Sequence, residues 1–169
     1  MDNALQYNLL LREVGLLVIG ILITALALTW ETIYTPAIVA LVATVQLGFY
    51  LFTTFRRVFN HINGEGMSVR NCLASLAVMV AFFIFAYGVN FCLLTLADGN
   101  ALKNFNPPSF FYRVVDGLYF STVTFTATGF GEFVPVTYPA KVVVWGEMVL
   151  GFATSVFAIS SFISLTNKD

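Results

Sequence analysis

Tyr119 to Pro135 reads YFSTVTFTATGFGEFVP: a threonine-rich apolar stretch that runs into Gly129-Phe130-Gly131-Glu132 and stops at a proline. The apolar run begins near Phe110 and meets Gly129 and Gly131 too soon to complete a membrane crossing, so the spacing predicts a half-length helix, Phe110 to Thr126. Such a segment is tolerated at membrane depth only where other protein buries it. Two glycines around one aromatic supply backbone that reaches conformations a Cβ atom penalises, which lets successive carbonyl oxygens turn towards one axis.

The rest of the chain sets that stretch in a bilayer. Of 169 residues 59% are hydrophobic and only 10% charged, where an ordinary soluble domain carries about 25%. A net charge of −1 with no long basic run leaves nothing for nucleic acid to bind. Cys72 and Cys92 lie twenty positions apart in one apolar segment, about 30 Å along a helix, and cannot pair within a chain. They read as packing residues. Asp2, Arg12 and Glu13 deny the N-terminus the net positive flank of a signal peptide. Met1 to Leu11 reads as a short helix in the interface or as a frayed terminus.

A helix needs about 20 mainly apolar residues to cross the hydrocarbon core. Four segments qualify: Glu13 to Trp30, Pro36 to Phe55, Asn71 to Leu96 and Pro139 to Leu165. Arg56, Arg57 and Arg70 fall in the loop between the second and third spans, and Arg12 and Lys168 near the termini, whereas Glu31 to Thr35 carries no Lys or Arg. This bias predicts that both termini are cytoplasmic and that the half-length helix opens outward, in a multi-pass protein of the cell (inner) membrane. His61 reads as a solvated loop residue, and Gly64 and Gly66 as a tight turn.

From Phe111 to Leu165 the chain resembles the pore module of potassium channels, in order and without gaps; with the third span as outer helix the resemblance begins at Asn71. It implies an all-α membrane protein with four transmembrane helices per chain, a re-entrant pore helix and a selectivity filter, assembled as a homotetramer. Residues 1–70 then form an N-terminal part, like the extra helix pair of small prokaryotic four-span relatives, and 71–169 the pore module. The family's filter, Thr-Val-Gly-Tyr-Gly-Asp after a further threonine, corresponds to Thr126, Ala127, Thr128, Gly129, Phe130, Gly131 and Glu132. The resemblance implies potassium ions at the carbonyls of Ala127, Thr128, Gly129 and Phe130, with Glu132 at the outer mouth, and no other cofactor.

Three departures bear on that expectation. Ala127 stands where the family has the threonine whose hydroxyl helps form the innermost ion site. Thr128 replaces valine and needs a partner for its hydroxyl, for which Glu147 inside the fourth span is the expected one. Phe130 replaces tyrosine and faces an aromatic pair, Tyr119 and Phe120, so apolar packing is expected to support the filter. On the inner helix Gly151 matches the hinge glycine and equally suits a close-packing site. At helical spacing Phe152, Ser155, Ile159 and Ile163 are expected to face a central cavity.

No span carries arginine at every third position, so a charge-moving voltage sensor is excluded. One histidine, no nucleophile with a base and no phosphate-cradling glycine loop leave no basis for an enzyme. The expected function is passive cation conduction with potassium as the ion. A weakly selective channel and a non-conducting membrane subunit are the alternatives.

Overall fold

The computed structural model describes residues 35–62 and 69–166, together with Gly15, Val18, Ile19, Leu22, Ile23 and Leu26, which are helical. The first predicted span, Met1 to Leu11, Gly64 and Gly66 therefore lie wholly or mostly outside the described residues.

From Thr35 onward the described residues form four helices: α1 (Thr35–Ile62), α2 (Val69–Ala97), α3 (Phe110–Phe125) and α4 (Tyr138–Thr166). Three of them hold windows long and apolar enough to cross a membrane, Thr35–Phe52, Ala77–Ala97 and Tyr138–Ser160. At 1.5 Å per residue, α3 with its 16 residues is about 24 Å long, while α2 and α4 with 29 each reach about 44 Å. The short helix is the one predicted from the threonine-rich stretch.

Both ends of α3 are set by the sequence. Pro107 and Pro108 keep the preceding chain out of the helical region, and Ser109 takes the N-cap place in an extended conformation. At the other end the amide of Ala127 donates to the Thr124 carbonyl and that of Thr128 to the Val123 carbonyl, both at 3.1 Å. With Thr126 as C-cap, this is the Schellman closure, and Ala127 sits at its left-handed position with φ 54°.

Helix α1 continues to Ile62 and α2 begins at Val69, so Arg56, Arg57, His61 and Arg70 belong to helices instead of the predicted loop. Nothing between Phe55 and Ile62 breaks a helix, and hydropathy marks where apolar sequence ends, not where hydrogen-bonded backbone does.

The helices meet around aromatic side chains. Tyr50 of α1 lies 4.5 Å from Phe83 of α2, and Phe91 of α2 lies 4.7 Å from Phe120 of α3, centroid to centroid, all four buried. Helix α3 lies mainly against α2, and α1 against α4. The α2–α3 crossing is closed by two glycines: a Cβ on Gly117 would come within 2.7 Å of the Gly88 carbonyl oxygen, and one on Gly88 within 3.0 Å of the Leu118 Cα. Small residues at such crossings let backbones touch without a hydrophobic driving force from the surrounding lipid. A buried hydrogen bond from Asn90 Nδ2 to Gln46 Oε1, 2.9 Å long, ties α1 to α2.

Flanking α3 in the chain, β1 (Leu102–Lys103) pairs antiparallel with β2 (Val134–Pro135), Leu102 opposite Pro135 and Lys103 opposite Val134. The amide of Val136 extends the ladder to the Ala101 carbonyl at 2.9 Å. This short ladder anchors the far end of the Gly-Phe-Gly loop to the connection leaving α2.

Candidate functional site

The site is the chain from Thr126 to Glu132, suspended between the C-terminus of α3 and β2. Along it φ is positive at every second residue: 54° at Ala127, 58° at Gly129 and 76° at Gly131. Glycine adopts this region freely, whereas a left-handed alanine costs about 1 to 2 kcal/mol. At Ala127 the Schellman hydrogen bonds offset part of that cost. All seven residues from Thr126 to Glu132 are exposed on the single chain.

The threonine hydroxyls are spent within the chain. Thr122 Oγ1 donates to the Leu118 carbonyl and Thr126 Oγ1 to the Thr122 carbonyl, each at 2.8 Å, and Thr126 Oγ1 lies 2.8 Å from Thr128 Oγ1. The partner of the Thr128 hydroxyl is thus Thr126, not Glu147 as the sequence led us to expect.

Glu147 is fully buried, and its Oε1 accepts a hydrogen bond from Ser121 Oγ of α3. Ser121 Oγ also lies 2.8 Å from the Ile84 carbonyl oxygen of α2. The helical geometry explains the change of partner: Ser121 faces away from the exposed loop, into the seam where α2, α3 and α4 meet, while Thr128 has already left the helix.

Within one chain the aromatic contacts of Tyr119 and Phe120 run to Phe133. Phe130 is 69% exposed, and the rings of Tyr119 and Phe120 face Phe133 instead, at 6.1 and 5.9 Å. Phe133 also packs 5.1 Å from Phe105 in the connection after α2. The anchor therefore lies three residues beyond the expected one, where the chain has left the loop and can reach back to α3.

The outer end of the loop is held by polar contacts. Asn104 Nδ2 donates to the Glu132 carbonyl at 3.1 Å, from a left-handed backbone with φ 66°. Arg113 Nη1 donates to Thr95 Oγ1 at 3.0 Å with its guanidinium 5.9 Å from the Phe105 ring centre, which fixes the start of α3 to the end of α2.

Residues 76–168 match a family of proteins described as ion channels, more than half of this chain. The chain belongs to the ion channel family. No curated protein matches it. As an ion channel, it is embedded in the lipid bilayer through its apolar helices and conducts ions passively, which is not an enzymatic activity.

Of the remaining predicted site residues of this ion channel, Gly151 is buried against α3, and a side chain there would collide with the Phe125 carbonyl. That is the close-packing reading of this glycine. Phe152, Ser155, Ile159 and Ile163 form one exposed stripe on α4, opposite the buried Glu147, Leu150, Gly151 and Thr154. Ser155 Oγ donates back to the Gly151 carbonyl at 2.9 Å. Sequence reasoning missed Ser121 as the partner of Glu147, Phe133 as the aromatic anchor, and the Gly88–Gly117 and Gln46–Asn90 contacts. The buried polar residues carried a signal: Gln46 and Asn90 stand inside apolar segments, where polar side chains seek one another.

Proposed function

We propose that four copies of this chain assemble around a central axis into a potassium-selective channel, with TATGFGE as its filter. The observation that carries this reading is the positive φ at Ala127, Gly129 and Gly131. In an extended strand successive carbonyls point to opposite sides; left-handed backbone at every second residue swings them to a common side. A ring of four such segments replaces the hydration shell of a potassium ion with carbonyl oxygens. Ions pass between the carbonyls of Ala127, Thr128, Gly129 and Phe130, with the Glu132 carboxylates concentrating cations at the mouth.

One chain surrounds no path, and its filter residues lie exposed beside an apolar cavity of about 240 Å³ lined by Tyr119, Phe120, Val123, Val144 and Met148, among others. A neighbouring copy covers both in the tetramer. Helix α3 acts as the re-entrant pore helix among four transmembrane helices per chain, both termini face the cytoplasm of the cell (inner) membrane, and the stripe from Phe152 to Ile163 lines the cavity below the filter.

A weakly selective cation channel is the second reading, favoured by one observation: Ala127 has no hydroxyl, and those of Thr126 and Thr128 bond each other. Potassium- and sodium-driven flux into proteoliposomes, compared for the native chain and Gly129→Ala, tests the proposal. The native chain is expected to pass potassium and reject sodium, and the variant to lose selective flux because a Cβ is added at φ 58°. An unaltered selective flux in Gly129→Ala would remove this segment from the ion path.

A further inference from the structure

Two contacts between α3 and α4 repeat at the same spacing. Ser121 bonds Glu147, and four residues later in both helices the Phe125 carbonyl lies on Gly151. Four residues are about 6 Å of helix, slightly more than one turn, so α3 and α4 run in register here with one polar contact and one backbone contact. Both lie within the last turns of α3, directly before the Schellman closure through Thr124, Ala127 and Thr128. The position of α4 is thus transmitted to the point at which the filter segment begins.

Glu147 is an unusual residue to use for packing. It is fully buried on a membrane-crossing helix, where an ionisable side chain is expensive and marks function by default. Its Oε2 has no hydrogen-bond partner among the described residues, so its polar hold rests on Ser121. Ser121 in turn reaches the Ile84 carbonyl of α2. Leu47 of α1 closes the same region, since a Cβ on the adjacent Gly146 would sit 3.2 Å from its Cδ2 and 3.4 Å from the Tyr87 hydroxyl. Side chains from all four helices therefore lie around Gly146 and Glu147.

We propose that Glu147 is a positioning residue of the filter, acting through Ser121 to fix the C-terminal turn of α3, with α1 and α2 completing the enclosure that keeps the contact dry. This rests on the filter reading above, and it assigns to the second span of the chain a part in the pore, through Leu47 of α1 beside Gly146.

The test is hydrogen–deuterium exchange at the Ala127 and Thr128 amides, on the assembled full-length protein in lipid nanodiscs, for the native chain and for S121A, E147A, the S121A/E147A pair, E147Q and E147L. Both single alanine variants are expected to speed exchange at these amides on the order of tenfold, the scale of one buried hydrogen bond. The pair should exchange no faster than either single, because the two residues act as one unit. E147Q keeps an acceptor for Ser121 and should retain native protection, while E147L fills the space without accepting and should not. Should E147A fail to assemble, S121A and the Gln–Leu comparison decide alone. Native protection in E147L, or additive effects in the pair, would overturn the proposal. Exchange needs no ion flux, so absent or unselective current would count against the filter reading and leave this inference to be judged on its own.

Discussion

The carbonyl oxygen of Phe125 occupies the space that a side chain at Gly151 would need. Helix α4 and the end of α3 therefore touch backbone to backbone, and the missing Cβ is what permits it. Gly151→Ala must push α4 away from α3, and overpacking of this kind costs about 1 to 3 kcal/mol. The expected result is a lower unfolding temperature in detergent together with disturbed conduction. A hinge role alone would alter opening and leave the unfolding temperature unchanged.

Gly117→Ala is expected to destabilise by a similar amount, about 1 to 3 kcal/mol, since its Cβ would press on the Gly88 carbonyl 2.7 Å away. The obstacle is backbone, which cannot swing aside as a side chain does. Thermal unfolding of Gly117→Ala beside Gly48→Ala provides the comparison, because a Cβ at Gly48 meets nothing within 4 Å. Equal unfolding temperatures for the two variants would show that the α2–α3 crossing tolerates separation.

Ala127 carries opposed demands. Its φ of 54° makes Ala127→Gly stabilising by about 1 kcal/mol, through relief of left-handed strain. On the proposed filter reading Ala127→Thr adds a side-chain oxygen at the innermost ion site and should raise potassium preference, but it places a β-branched residue in backbone such residues rarely adopt. The expected outcome is therefore higher selectivity with a lower unfolding temperature. A threonine variant that is stable and no more selective would show that the hydroxyl does not reach the ions.

The Gln46–Asn90 hydrogen bond joins α1 to α2. Asn90→Leu leaves the Gln46 amide unpaired, and pairs of this kind contribute about 0.6 kcal/mol on average within membranes, up to about 1.7. A double-mutant cycle with Gln46→Leu, read by reversible unfolding, should return a coupling in that range. A coupling of zero would mean that α1 is held by its aromatic packing alone.

What could be read from the sequence follows from what is local. Gly-Phe-Gly-Glu after a threonine-rich helix marks a segment whose special backbone depends on its own residues, and helix α3 was expected at 110–126 and is found at 110–125. The third and fourth spans, expected at 71–96 and 139–165, are found as α2, 69–97, and α4, 138–166, because apolar length is a property of one segment. Partners were less legible. Whether Glu147 meets Thr128 or Ser121 depends on the rotation of α3 against α4, and neither helix's own pattern fixes that angle. The aromatic contact of Tyr119 and Phe120 was assigned to Phe130 on the strength of its place between the glycines. It falls to Phe133, because the β1–β2 ladder returns the chain towards α3 only after Glu132. The left-handed Ala127 was hidden for another reason: alanine gives no sign of positive φ, and the closure of α3 imposes it.

The central claim is that the segment from Thr126 to Gly131 selects potassium, and the reversal potential of the purified protein in a planar bilayer, with potassium on one side and sodium on the other, tests it most directly. The account predicts a reversal potential close to the potassium limit, showing that carbonyl rings suffice without a hydroxyl at Ala127. A robust current reversing near zero, or a persistent absence of current, would contradict it.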